Sequence, residues 1–305
     1  MGAQSKPGIS LEYLQLLSSR NFFVKTLDVI KSESGLWISG LPAIQMNIQR
    51  RRYNPFVLGT SRNQLDNLPS ISTMKNQYFG DVNDYQKYGL LRTLIYGGQY
   101  KIGVCWMLTA DDGRTEGKFT SFLNQPQVWR KYDPQLFDLL YKSVVSDRSR
   151  NVALAQNTNM LPGAEFYSEL LTDSRNHRTK YFNEMKEKFS NCRLIFFDPD
   201  NGIEIKSAAK GRRNSAKYVY WDELNETYES GHSILLYQHF RREERTSFVE
   251  RTIMEFQAQL NPHKIYWFRT SQVVYFLCLQ ERDVDILAAR VGSVAKQWGG
   301  KIQVG

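Results

Sequence analysis

Four consecutive apolar residues, Leu194-Ile195-Phe196-Phe197, run straight into Asp198-Pro199-Asp200-Asn201-Gly202. Four residues are too few for a buried helix and suit a strand covered on both faces, as in a parallel sheet. The strand must stop there, because Pro199 has no N–H and fixes its own φ, and Asn201-Gly202 favours a turn. In open α/β sheets ligands bind beyond the carboxyl ends of the strands. An interior strand that ends in two carboxylates is therefore a candidate catalytic edge.

The surrounding pattern fits such a sheet. Helical spacing runs over Asp84–Tyr96 and stops at Gly97-Gly98. Lys101–Leu108 reads as a strand, followed by the turn-like Thr109–Gly113; Pro134–Val145 is helical and Ala164–Tyr167 a short strand. Arg178–Phe189 is an amphipathic helix, Lys217–Trp221 is extended, Ser233–Tyr237 is an apolar strand and Ser247–Leu260 a helix. Lys264–Phe268 and Val273–Leu279 form a closing hairpin. Alternating strands and helices with such an ending predict a Rossmann-like, doubly wound α/β fold, its sheet mostly parallel with a C-terminal antiparallel hairpin.

Residues 1–73 differ from this. A possible helix over Ser10–Ile30 gives way to scattered Gly and Pro and to the run Arg50-Arg51-Arg52. The stretch holds eight basic and four acidic residues. It reads as an N-terminal extension, either an appended segment or an in-frame leader upstream of Met74, to an α/β domain over 74–305. The chain's net charge of +9 favours a polyanionic partner. Cys105, Cys192 and Cys278 lie in apolar runs without zinc or disulfide spacing, so they read as buried thiols of a reducing compartment. No apolar run reaches the length of a membrane span, and Lys6 stands where a myristoylation signal needs Ser or Thr. A cytoplasmic protein without a membrane partner is expected.

Four chemistries place acids at such a strand end. A restriction-type nuclease pairs Pro-Asp with Glu-x-Lys, but only three residues separate Asp200 from Glu204. A dehalogenase-type phosphatase uses Asp-x-Asp, which Asp198 and Asp200 match without the customary Thr. A plain Mg²⁺ or Mn²⁺ site would use Asp198, Asp200 and Glu204. An amino-methyltransferase uses Asp-Pro-Pro-aromatic to accept hydrogen bonds from its target amino group, and the order of elements here favours that class.

Gly80-Asp81-Val82-Asn83-Asp84-Tyr85-Gln86-Lys87-Tyr88 resembles the Gly-Asn-x-x-Asp-x-x-Lys-His signature of the large-subunit ribosomal RNA adenine-N6 methyltransferases. Asp81 and Tyr88 stand in for its Asn and His. The later Asp-Pro-Pro-Tyr is represented by Asp198-Pro199-Asp200-Asn201, so the base-stacking aromatic is missing. Residues 74–290 also resemble a family of uncharacterised bacterial proteins with Phe-Gly-Asp-x-Asn-Asp-Tyr and Phe-Phe-Asp-Pro-Asp-Asn-Gly. The methyltransferase resemblance implies S-adenosylmethionine as donor, held by Gly80, Asp84, Lys87 and Tyr88, with Asp198 orienting a nucleic-acid acceptor; Asp111, in Asp111-Asp112-Gly113, suits a donor ribose or a metal, or simply a tight turn.

Two further groups belong to this expectation. His239, at the end of Ser233–Tyr237, would open beside Asp198 and Asp200 as a general base. Lys206, Lys210, Arg212, Arg213 and Lys217 form a mobile basic loop directly after the acidic turn, suited to a phosphate backbone. Tyr218, Tyr220 and Trp221 suit base stacking or a core. A metal-dependent nuclease or phosphohydrolase, and a degenerate binding module, are the alternatives.

Overall fold

The computed structural model describes residues 79–97, 100–110 and 119–305. The expectations for residues 1–73 and for Asp111 lie outside the described residues. Among the described residues seven strands form one mixed sheet: β1 (Ile102–Cys105), β2 (Glu165–Tyr167), β3 (Leu194–Phe197), β6 (Ser233–His239), β7 (Lys264–Arg269), β8 (Val273–Leu279) and β9 (Gln303–Val304). Their spatial order is β2-β1-β3-β6-β8-β7-β9. A separate parallel pair joins β4 (Gly202–Ile203) to β5 (Tyr218–Val219).

The strands β2, β1, β3 and β6 are mutually parallel, and β8 lies antiparallel between β6 and β7. The result is an α/β fold whose sheet is mixed and mostly parallel. Alternate residues of each strand point to opposite faces. Val273, Tyr275, Leu277 and Leu279 of β8 join one core with α1 (Val82–Leu94), α2 (Pro134–Tyr141) and α6 (Val284–Gln297). Val274, Phe276 and Cys278 join a second core with α3 (Arg175–Lys188), α4 (Trp221–Glu229) and α5 (Arg245–Leu260). Burial on both faces is why β3 and β8 read as unbroken apolar runs. All three cysteines are buried and free.

Local chemistry moves several boundaries from their expected places. α1 begins at Val82 because the Asp81 carboxylate accepts from the N–H groups of Asn83 and Asp84, both at 2.9 Å. The strand expected over Lys101–Leu108 is regular only to Cys105, since Met107 takes a left-handed φ of 46°. Only Tyr218–Val219 of the extended stretch is strand, and Trp221 instead opens α4. Tyr220 is buried and Trp221 packs its ring on Phe256 at 5.0 Å, so these aromatics serve the core and do not offer a stacking platform.

The acidic turn itself depends on one glycine. Gly202 has φ +108°, and a Cβ there would lie 2.2 Å from Gln238 Oε1. That oxygen accepts from the Ile203 N–H at 2.8 Å, and the Gln238 amide donates to the Asn201 carbonyl. Gly202→Ala is expected to destabilise the fold by about 2–3 kcal/mol through strain and displacement of Gln238. Urea unfolding measures it directly.

Candidate functional site

β1 connects outward to β2, whereas β3 lies on the other side of β1 and leads on to β6. The winding therefore reverses between β1 and β3, and a crevice opens beyond their carboxyl ends, where such sheets take ligands. A cavity of about 590 Å³ occupies it. That is the size range of small-molecule sites.

Lys87 ties the cavity together. One helical turn separates it from Asp84, so both project from the same face of α1. Its Nζ lies 2.8 Å from Asp84 Oδ1 and 2.8 Å from Asp198 Oδ2. The rings of Tyr88, Trp106 and Tyr237 surround it, with centroids 5.4, 5.5 and 5.8 Å away. The side chains of Lys87, Asp84 and Asp198 are only 11%, 9% and 14% exposed. Asp84 Oδ2 also accepts from the Gly80 N–H at 2.9 Å and the Tyr88 hydroxyl at 3.2 Å. Gly80 adopts φ +79°, and a Cβ there would meet Val144 at 2.4 Å, so glycine is required at this entry to α1.

Opposing influences set the protonation states. Burial pushes the Asp198 carboxyl up to about 6, against the pull of Lys87. Asp81 is likewise raised to about 6 by burial and by the neighbouring Asp84 charge. Burial would lower the Lys87 ammonium, but Asp198 and Asp84 outweigh it and hold its pKa well above the ordinary value. His239 donates or accepts with the Tyr237 hydroxyl at 3.0 Å, and desolvation holds its imidazole below the usual pKa, partly offset by Asp200.

A carboxyl with a raised folded-state pKa keeps its proton where the unfolded chain has lost it. Between about pH 4 and 6 the native state thus binds more protons, and rising pH removes stability until Asp198 is fully ionised. Asp198→Asn lacks this dependence. Its stability relative to the unsubstituted chain is expected to rise by roughly 2–3 kcal/mol across that window and level off above it. Urea midpoints collected every half pH unit give the slope.

The remaining expected residues divide clearly. Asp200 accepts from Thr109 Oγ1 at 2.9 Å, and Asp200, His239 and Lys217 all line the cavity with Asp84, Lys87 and Asp198. Glu204 does not join them: its Oε1 accepts from the Trp221 N–H at 3.0 Å and caps α4. Among the described residues no three His, Cys, Asp or Glu side chains are grouped to hold a metal ion. The Asp198, Asp200 and Glu204 cluster of the metal-dependent alternative is thus not assembled, because β4 carries Glu204 towards α4.

The basic loop, expected to be mobile, is held in place. It is a run of turns pinned by Asp173, which accepts from the Asn214 and Ala216 N–H groups, each at 2.8 Å. Lys210 is ion-paired to Asp222 and Glu223. Lys206, Arg212 and Arg213 are exposed, and only Lys217 of the five reaches the cavity.

Sequence reasoning overlooked Trp106 and Tyr237, which wall the cavity. Trp106 is 3% exposed and its Nε1–H has no partner among the described residues. A tryptophan within the expected strand Lys101–Leu108, whose N–H needs a partner once buried, was the available signal. Among the described residues no helix is long and apolar enough to cross a membrane.

No family model and no curated protein matches this chain. Among solved structures it is similar to the crystal structure of protein LPL1258 from Legionella pneumophila strain Philadelphia 1, of family model DUF519. The TM-score is 0.35 and the identity 11%, over 77% of this chain and 97% of that one.

Proposed function

We propose that this chain is a methyltransferase-like protein that takes S-adenosylmethionine in the crevice between β1 and β3 and presents a nucleic-acid amino group to it. The observation that carries the reading is the Lys87 bridge, which brings the acids opening α1 and the acid ending β3 into one aromatic-walled cavity. The reversed strand β8 between β6 and β7 agrees with the C-terminal hairpin of a Rossmann-like methyltransferase sheet.

The donor set suits the cofactor. S-adenosylmethionine carries an ammonium, a sulfonium, a carboxylate and a flat nucleoside. Asp81, Asp84 and Asp200 match the positive centres or the ribose hydroxyls, Lys87 and Lys217 match the carboxylate, and Tyr88, Trp106 and Phe119 match the adenine. The Trp106 Nε1–H, unpartnered among the described residues, is a buried donor awaiting an acceptor. When bound, the cofactor supplies an electrophilic methyl group.

The chain's own contribution is placement. Asp198 Oδ2 is taken by Lys87, and Oδ1 remains to accept a hydrogen bond from an acceptor N–H and so orient its lone pair. Fixing that geometry replaces an encounter by an intramolecular approach, worth several kcal/mol of barrier. His239, held neutral near pH 7, accepts the proton the acceptor nitrogen releases.

Calorimetry with S-adenosylmethionine in a metal-free buffer tests this. One site per chain is expected, with a change in indole fluorescence as the donor packs against Trp106. Absence of donor binding, with Mg²⁺ or Mn²⁺ binding that Asp200→Asn removes, would overturn the reading in favour of a metal-dependent hydrolase.

A further inference from the structure

A second cavity, of about 530 Å³, has the opposite charge. Its cationic wall is Arg245, Arg269 and Lys301, and among the described residues no carboxylate lines it. None of these three is ion-paired among the described residues. Instead each rests on an aromatic ring: Arg245 on Phe240 at 5.1 Å, Arg269 on Trp267 at 5.6 Å, Lys301 on Trp129 at 3.9 Å. Arg269 Nε is further held by Gln303 Oε1 at 2.9 Å. Three cations gathered in this way repel one another, and an anion between them relieves that repulsion.

A hydrogen bond from Asn83 Nδ2 to Gln272 Oε1, at 2.9 Å, lies where the two linings come together along the chain. Val82 and Ser271 line the basic cavity, while their chain neighbours Asn83 and Gln272 line the acidic one. The first cavity carries Asp81, Asp84, Asp198 and Asp200 against Lys87 and Lys217, and so repels phosphate. A nucleotide whose base enters it must leave its phosphates outside. The basic cavity begins at the chain neighbours Val82 and Ser271.

We propose that Arg245, Arg269 and Lys301 form the site for the phosphodiester backbone of an unpaired nucleic-acid segment, whose reacting nucleoside crosses the Asn83–Gln272 bridge into the acidic cavity. Phosphate contacts of this kind set register and leave sequence to be read elsewhere. The assignment rests on the donor-site reading for the role of the acidic cavity alone. It moves the backbone contact from the loop at 206–217 to the far end of β7, the start of α5 and the turn before β9.

The test uses the full chain and fluorescein-labelled unpaired twelve-residue RNA and DNA, with binding followed by anisotropy over a series of NaCl concentrations. Arg245→Gln combined with Arg269→Gln is expected to weaken binding at least tenfold at low salt. The slope of log K against log salt should fall by about 1.4, roughly 0.7 for each phosphate no longer neutralised. Arg269→Lys, which keeps the charge, should restore most of the affinity. Arg245→Gln alone, at an exposed position, should give a smaller loss, with thermal unfolding used to check that the variant is folded. Unchanged affinity and slope in the double variant would overturn the proposal. So would equal binding of polyglutamate of the same length, or AMP binding as tightly as the oligonucleotide, which marks a site for a single phosphate.

Donor calorimetry on the same double variant keeps the two readings apart. Donor binding with nucleic-acid binding indifferent to Arg245 and Arg269 sinks the groove and leaves the methyltransferase reading. Nucleic-acid binding that needs both arginines, in a chain that binds no donor, does the reverse.

Discussion

Replacing Lys87 by methionine is expected to destabilise the fold by about 3–5 kcal/mol at pH 7.5 and to abolish donor binding. The side chain is nearly isosteric, so packing among Tyr88, Trp106 and Tyr237 changes little. What changes is charge. Asp84 and Asp198 each lose a partner at 2.8 Å while remaining mostly out of water, and removing one member of a buried ion pair costs on that scale. The penalty should shrink as the pH falls towards 6, because without the pull of Lys87 the Asp198 carboxyl takes up its proton at a higher pH than in the unsubstituted chain, which removes the uncompensated charge. A destabilisation of the same size at pH 5 and pH 7.5 would show that poorer packing is responsible. Urea unfolding at the two pH values separates the cases.

The second large effect is expected at Arg178. Its guanidinium is 2% exposed, donates from Nη2 to Glu223 Oε2 at 2.7 Å, and lies 4.7 Å from the centre of the Tyr220 ring. The same group donates to the carbonyls of Ser215, at 3.2 Å, and Tyr218, at 2.7 Å. Those carbonyls flank Lys217, the one residue of the basic loop that reaches the cavity. Arg178→Met would leave Glu223 with Lys210, at 3.1 Å, as its remaining ion-pair partner beside the Tyr220 N–H, at 3.0 Å, and would take the guanidinium donor from both carbonyls. A loss of roughly 3–5 kcal/mol follows from the broken buried network. Donor affinity should fall too, since Lys217 is no longer held in place. Chemical denaturation combined with calorimetry on the folded variant measures both.

The parts of this fold that were legible in the sequence are those dictated by burial on two faces. Leu194–Phe197 and Val273–Leu279 match β3 and β8 residue for residue, because a strand covered on both sides admits nothing polar. Asp198 and Lys87 were each legible as site candidates, from the strand end and from the helix opening. Their contact is a tertiary fact that no spacing encodes, since 111 residues separate them. Glu204 was misplaced because its residue type suited a metal, whereas the backbone direction of β4 gives it to the N–H of Trp221. The fixed course of the basic loop was not legible for a similar reason. Lysines and arginines in a row say nothing about Asp173 and Asp222, which come from other elements and fix it. α4 and α6 were not anticipated: α4 follows β5 after a single residue, and its first residue belongs to an aromatic run that looks extended.

The position of β8 bears on the order in which the molecule can be put together. It follows β7 in the chain yet lies between β7 and β6, so β7 cannot dock directly on the four parallel strands and must wait with an open slot beside it. Until residues 273–279 arrive, β6 shows a bare, apolar edge of the kind that recruits foreign strands. β8 is thus the keystone of the sheet, and a chain cut short before residue 273 would leave that edge open to association.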